Sequence, residues 1–339
     1  MHPPLKETGQ NLNFLIIKQL TITMEKSKII TVFGATGAQG GGLARAILSD
    51  SNSEFKVRAV TRNADSEKAK ALAQLGAEIV EADIDDAGSI KKAVEGAYGA
   101  FFVTFFWEHF SAEKEYQEVA DFAKAAKEAN LKHVIWSTLE DTRNWVPLDD
   151  DRMPTLQGKY KVPHFDGKGA ADKLLVDAGL PVTLLRTSFF WDNFIHFGMG
   201  PQKGEDGNYY IAFPLDDKKL CGMGAEDIGK CAYGIFKNGN GSVGEIIGIV
   251  GEKLSGGEMA AKLSKALNIN VIYNNVSPDT YRSFGFPGAD DLGNMFQFKR
   301  DFNEDFNAVR SEEVSKELNP ELQNFDEWLA VNASSIPID

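Results

Sequence analysis

The chain has 339 residues, 43% hydrophobic and 25% charged, a composition typical of soluble globular proteins with room for one large domain or two ordinary ones. Its 49 acidic and 36 basic residues leave a formal charge of −13, which argues against a nucleic-acid-binding surface spread over the whole molecule, because phosphate contacts need clustered Lys and Arg. Two cysteines, Cys221 and Cys231, make neither a disulfide framework nor a zinc pattern and read as reduced thiols of an intracellular protein.

Residues 1–24 differ from the rest. Phe14-Leu15-Ile16-Ile17 is apolar but is interrupted by Lys18 and Gln19, too short to span a bilayer, and no small-residue cleavage site follows it. Met24 stands just before the first strand, so residues 1–24 are expected to be a disordered extension or the product of an upstream start codon. No later segment approaches the length of a transmembrane helix. The expected location is the cytoplasm, with nuclear access open.

The frame is set by Lys28-Ile29-Ile30-Thr31-Val32-Phe33-Gly34-Ala35-Thr36-Gly37-Ala38-Gln39-Gly40. Ile29 to Phe33 is the apolar, β-branched run of a buried parallel strand. It enters glycines spaced G-x-x-G-x-x-G, after which Leu43 to Leu48 reads as a helix. Strand, glycine turn and helix are the context in which such spacing means dinucleotide binding. Gly34 permits a tight turn, Gly37 lets backbone approach a pyrophosphate, and Gly40 lets helix and strand pack closely. The helix then turns its free N–H groups and positive dipole end to the phosphates. Gly41 and Gly42 make the spacing easier to match by chance, so the elements that follow have to support it.

Residues 55–61 alternate as strand two. At the end of that strand an acid favours NAD and a base the 2′-phosphate of NADP. Arg62 stands there, with no acid before Asp65, which favours NADP(H). A helix over 66–75 stops at Gly76, and residues 78–83 form strand three. Asp83 at its end accepts from the adenine amino group, caps the helix over 85–94, or does both, with Ile84 covering the ring. Residues 99–104 are strand four. The aromatic loop Phe105-Phe106-Trp107-Glu108 then walls a nicotinamide or substrate, or packs beneath the loop. A long helix over 112–130 carries Val119, Phe122, Ala123 and Ala126 at helical spacing. Residues 133–138 are strand five, 142–161 an aperiodic excursion over the site, 162–175 a helix, and 182–186 strand six.

The expected fold class is α/β, a Rossmann-type doubly wound parallel sheet with a smaller α+β C-terminal region. A nucleotide-binding domain is expected over 25–187 and a substrate or partner region over 188–339, interleaved with the sheet. The latter is expected to hold short strands at 209–213, 245–250 and 270–273 and helices beginning near Asp227, Gly257 and Pro278.

Together these residues resemble the NmrA-like group of atypical short-chain dehydrogenase/reductase proteins, over about residues 28–335. Besides the glycine stretch, the resemblance rests on Val60-Thr61-Arg62-Asn63, Val103-Thr104 with Trp107-Glu108, His164-Phe165-Asp166-Gly167-Lys168-Gly169, Gly285-Phe286-Pro287-Gly288-Ala289 and Asn294-Met295-Phe296. It is greatest to the animal NADPH-sensor branch, whose members bind NADP(H) and regulate through protein partners. The resemblance implies that Gly34, Thr36, Gly37, Ala38, Gln39 and Gly40 cradle the pyrophosphate and that Arg62 and Asn63 hold the 2′-phosphate end. It implies that Asp83 and Ile84 flank adenine, and that Thr104, Phe105 and Phe106 line the ribose and nicotinamide side. Lys168 would reach the nicotinamide ribose, and Phe190 to Asn193 would close the pocket. The sensor branch tends to have polar residues where this chain has Phe105-Phe106, which makes for a drier pocket. A monomer or homodimer, with no membrane and no nucleic acid as partner, completes the expectation.

Catalytic members of the wider superfamily place a Tyr four residues before a Lys on one helix face, with a Ser at the end of strand five. This chain has Ser137 and Lys168, but His164 in the tyrosine's place; Tyr160 lies two turns before Lys168. A histidine can donate a proton near neutral pH, while a neighbouring ammonium favours its neutral form. Two functions therefore stand. One is a redox-sensing regulator that binds NADP(H) with little turnover, which the missing tyrosine favours. The other is an NADPH-dependent reductase of a quinone, enone or aromatic substrate, with Phe105, Phe106, Trp107, Phe189, Phe190 and Trp191 stacking on it. In either case Arg62→Ala is expected to weaken NADPH binding roughly 10- to 100-fold, the scale of hydrogen bonds to charged groups, and NADH binding far less. Fluorescence titration of both nucleotides checks this; equal weakening removes Arg62 from the 2′-phosphate.

Overall fold

The computed structural model describes residues 27–338; the N-terminal stretch from Phe14 to Met24 lies outside the described residues. Apolar runs bounded by turn residues become the strands β1 (Lys28–Val32), β2 (Phe55–Thr61), β3 (Glu78–Glu81), β4 (Gly99–Phe102), β5 (His133–Thr138) and β6 (Val182–Arg186). Helices α1 (Ala38–Ser49), α2 (Glu67–Gln74), α3 (Ala87–Val94), α4 (Ala112–Glu128) and α5 (Pro163–Asp177) alternate with them. Beyond β6 come β7 (Phe189–Phe190), β8 (Gln202–Lys203), β9 (Tyr209–Phe213), β10 (Leu220–Met223), β11 (Ile246–Ile249), β12 (Glu252–Leu254), β13 (Val271–Asn275) and β14 (Arg310–Ser311). The longer helices of this part are α6 (Ala225–Asn238), α7 (Gly256–Leu267) and α8 (Ala289–Asp301).

The main sheet has eight parallel strands in the order β3-β2-β1-β4-β5-β6-β11-β14. Its first six follow the doubly wound order, with the switch point between β1 and β4. Two further strands come from the region expected to interleave with it. The run at 245–250, assigned from sequence to the smaller region, pairs with β6 (Ile247 opposite Leu185), and two-residue β14 covers the far edge. The physical reason is the exposed edge that β6 would otherwise present.

Helices α1 and α6 cover one face: Leu43 and Ile47 with Ile228, Ala232 and Phe236 lie against Ile30, Val57 and Ile135. On the other face Ile90, Val119, Phe122 and Leu175 from α3, α4 and α5 lie against Phe33, Phe102 and Trp136. Phe102 and Phe122 stack at 4.0 Å between centroids. Gly42 serves the α1–α6 contact, because a Cβ there would stand 2.5 Å from the Glu226 carbonyl oxygen. The cap of α3 is Asp86, whose carboxylate accepts from the Gly88 N–H, and not Asp83. Asp83 instead accepts from the Asp85 N–H one turn earlier, because α3 begins two residues later than the sequence suggested.

The smaller region builds two three-stranded sheets, β12-β10-β7 and β13-β9-β8, around a third core. Phe189 and Trp191 belong to that core with Phe194, Phe213, Phe296 and Phe325, so they are interior packing and not part of a substrate-stacking loop. The excursion over 142–161 is held down by α8. Asn294 Nδ2 donates to the carbonyls of Pro154 and Lys161, and Gln297 Nε2 to that of Arg152. Asp166, fully buried, accepts from the backbone N–H groups of Thr142, Lys161 and Val162.

Arg310 of β14 is buried and forks onto Glu140 (Nη1–Oε1 2.7 Å, Nη2–Oε2 3.1 Å), while Nε donates to the Thr187 carbonyl. Burial opposes ionisation of Glu140, but the Arg310 charge and hydrogen bonds hold its carboxyl below the ordinary value. The pair therefore contributes at neutral pH, and that contribution is lost as pH falls through Glu140's lowered range. Arg310→Ala strands a buried carboxylate and is expected to cost about 3–5 kcal/mol. Urea unfolding at neutral pH reads the loss, and the deficit should narrow in acid as Glu140 takes up a proton.

Candidate functional site

The glycine turn leaves β1 at the switch point. Gly34 has φ +64°, a left-handed conformation open to glycine, and its carbonyl accepts from the Gly37 N–H. A Cβ on Gly40 would lie 2.5 Å from that same carbonyl oxygen. No side chain caps α1, and its first turn carries no acid. The N–H groups of its first turn therefore face the exposed crest formed by Gly34, Gly37 and Ala38, an arrangement that fits a pyrophosphate. Thr36 is half-buried beside this crest. Ser137, at the end of β5, donates to Gln39 Oε1 at 2.7 Å. It is thereby tied to α1 and bonds neither His164 nor Lys168.

At the end of β2, Arg62 and Asn63 are exposed. Arg62 is ion-paired with Glu108 from the turn after β4, and Glu108's carboxyl is held below its ordinary value by that hydrogen bond. Asn63 Oδ1 accepts from the Asp65 N–H. Asp83 lies exposed nearby, and half-buried Ile84 packs on the α3–α4 core.

The turn after β4 splits the two phenylalanines. Phe105 is 52% exposed, whereas Phe106 is buried with Ala112, Tyr160 and Trp107. Thr104 is also turned inward: its hydroxyl donates to Glu115 Oε1 at 2.6 Å and accepts from Lys168 Nζ at 2.6 Å. Lys168 Nζ completes the triangle with Glu115 at 2.9 Å and sits 5.1 Å from the centre of the Trp136 ring. Gly167 lets α5 come this near to α4, for a Cβ there would be 3.0 Å from the Ala112 Cβ. One turn on from Glu115, Glu118 is buried, and its carboxyl is pushed up to about 8 by burial and by the neighbouring charges of Glu115 and Asp85.

His164 opens α5. Its Nδ1 meets Asp291 Oδ1 at 2.5 Å and its backbone N–H donates to Asp291 Oδ2 at 3.2 Å. Asp291 thus fixes the ring from both sides of its carboxylate. Nε2 makes no hydrogen bond among the described residues, and the ring lies against Trp107 (4.8 Å) and Phe106 (5.8 Å). Gly288, at φ +83°, lets the turn before α8 press on Trp107, where a Cβ would stand 2.7 Å from the indole. Phe284 and Phe286 of that turn, with Phe110, form an exposed apolar rim. Tyr160 is directed elsewhere, donating to Glu113 Oε1 at 2.9 Å. On the opposite side Phe190 is half-buried on the α1–α6 core. Asn193 begins a single helical turn that Asp192 ties to α6 by accepting the Ala225 N–H.

A family model described as the NmrA-like family matches residues 26–329. The chain belongs to the NmrA-like family. It is 28% identical over 293 residues to the NmrA-like family domain-containing oxidoreductase FrzB of Cladobotryum sp., covering 80% of this chain and 83% of that one. It is 31% identical over 222 residues to the oxidoreductase malD of Malbranchea aurantiaca, covering 62% and 64%. The fold is that of NmrA, a negative transcriptional regulator, at a TM-score of 0.75 and 23% identity over 93% of this chain and 99% of that one. It is also that of the Citrobacter sp. triphenylmethane reductase complexed with NADP(H), at 0.70 and 20% over 89% and 99%.

In this NmrA-like chain Glu108 stands out in the sequence only as the end of the aromatic loop and as part of the resemblance, and Glu115, Glu118 and Asp291 carry no sequence signal of a role. Among the described residues no group of three His, Cys, Asp or Glu suits a metal ion, and no helix is long and apolar enough to cross a membrane. Glu108 competes with any phosphate for Arg62. Glu108→Gln is therefore expected to tighten NADPH binding about two- to fivefold, the scale of an exposed ion pair, and to leave NADH affinity unchanged in calorimetry.

Proposed function

We propose that this NmrA-like protein binds NADP(H) across the C-terminal edge of β1, β2 and β4 and reduces a flat unsaturated substrate, a quinone, enone or aromatic compound. The observation that carries this reading is the His164–Asp291 pair. It places an oriented imidazole, with Nε2 unclaimed, one helical turn before Lys168 and beside an aromatic rim. The glycine crest would hold the pyrophosphate and Arg62 the 2′-phosphate, after exchanging Glu108 for it. When bound, the reduced nicotinamide supplies a hydride. Asp291 keeps the Nδ1 proton in place, so that the imidazolium can release the Nε2 proton to the reduced substrate. Lys168 holds a positive charge beside the site, and Trp107 with Phe106 packs apolar surface against the histidine. Curated relatives named as oxidoreductases support this reading.

A second reading is favoured by one contact. The Arg62–Glu108 pair joins the expected 2′-phosphate position to the aromatic turn, so NADPH arrival would release that turn and change the surface offered to a protein partner. This is a redox sensor, with a cytoplasmic or nuclear regulator as partner.

Loss of reduced-nicotinamide absorbance with a panel of quinones and enones decides between them. The reductase should show saturable oxidation, His164→Ala should lower kcat about 100-fold or more, and Asp291→Asn should lower it less while altering the pH profile. NADPH affinity of both variants should stay within about twofold. Tight NADPH binding with no oxidation by the unaltered protein leaves the sensor.

A further inference from the structure

Behind Lys168 lies a line of titratable groups that cofactor binding does not require. Glu115, fully buried, contacts Lys168 Nζ and the Thr104 hydroxyl through Oε1, while its Oε2 is buried without a partner. Glu118, three residues further along α4 and on the same face, is 4% exposed, and its Oε2 is likewise buried and unpartnered. His109 Nδ1 accepts the Ser111 N–H, which leaves Nε2 to carry the proton of the neutral ring. That Nε2 is buried, without a hydrogen bond, 3.5 Å from Glu118 Oε1. Asp85, whose charge is among those acting on Glu118, is paired with Lys114 at 2.7 Å and half-exposed at the surface. His109 Nε2, Glu115 Oε2 and Glu118 Oε2 are thus three buried polar atoms without partners among the described residues, a demand that ordered water would satisfy.

We infer that Glu118 and Glu115 form a proton relay that carries protons from solvent at Asp85 to Lys168. This inference rests on the reductase reading. Each reduction takes a hydride and one proton, and the proton released by His164, a buried group beside the aromatic turn, has to be replaced. His164 and Lys168 stand at i and i+4 on α5, which puts both on one helix face, and the relay takes one water between them. Lys168 passes a proton through that water to the His164 imidazole. Glu118 gives its proton to Glu115, and Glu115 gives one to Lys168. Glu118 is recharged from solvent through Asp85, so the net change is one proton taken from bulk per turnover. A carboxyl that keeps its proton at neutral pH suits the middle of such a line, and burial with the facing charges of Glu115 and Asp85 gives Glu118 that property. Lys114 and Lys168 oppose it, and His109, whose own protonation burial disfavours, faces it as a neutral donor. Those groups, with Glu108 at the rim, are the charges around the relay.

The test uses the full-length protein and the acceptor that it turns over best. Glu118→Gln should lower kcat at least 10-fold, leave NADPH affinity within twofold by calorimetry, and raise the solvent deuterium isotope effect on kcat. Formate or imidazole added as a small proton donor should restore at least half of the loss. Asp85→Asn, at the surface and safe for folding, should lower kcat several-fold with the same rescue. Turnover of both variants within twofold of the unaltered protein overturns the relay and leaves the reductase standing. A loss that no added acid restores, with an unchanged isotope effect, assigns Glu118 a structural role and also overturns it. An unaltered protein that oxidises no NADPH with any acceptor overturns the reductase reading, and the relay with it.

Discussion

A parallel sheet sends all its strand ends that lead into helices to one edge, and between β1 and β4 the chain departs in opposite directions. Everything of chemical interest follows from that opening. The glycine turn, Arg62 and the aromatic turn leave from neighbouring strands directly, and the start of α5 joins them after the excursion over 142–161. The C-terminal part then supplies what the opening lacks. Asp291 orients the histidine, Gly288 presses on Trp107, and Asn294 anchors the segment before α5.

Burial governs what the charges in the site do. Lys168 keeps few degrees of freedom because Thr104 and Glu115 hold its ammonium from one side and Trp136 from another. Such a group is fixed in position and does not search through solvent for a partner. Arg62 is the opposite case. It is exposed and held by one carboxylate, a pairing that solvent weakens. The same chain thus keeps one cation enclosed beside β4 and another exposed at the end of β2.

Much of this was legible in the sequence. The bounds of β2, β5 and β6 follow the expected runs, and the glycine turn lies where its spacing indicates. What stayed hidden has physical reasons. Glu115 and Glu118 are acids on a helix whose sequence shows only its apolar spacing, and they are buried by tertiary neighbours, Lys168 and Thr104 for Glu115 and His109 for Glu118. Asp291 lies 127 residues from His164, and no local period can pair them. β14 is two residues long and has no strand signature; it exists because an edge needs covering and Arg310 needs Glu140. Phe189 and Trp191 read like their neighbour Phe190, yet the β7–β10 pairing turns them into a core. Gly42 looked like noise beside the motif and is a helix–helix contact.

The late strands have a kinetic meaning. Until β11 and β14 have been synthesised, β6 offers a bare edge, and until Gly229 arrives the glycine face of α1 has nothing to rest on. The nucleotide-binding half therefore cannot close as it emerges from the ribosome and has to wait, partly open, for the far end of the chain. Non-local pairing of this kind slows folding and lengthens the time during which an apolar edge is open to other chains. A fragment ending near residue 187 would hold every residue of the glycine motif and still lack the cover that makes it a stable sheet.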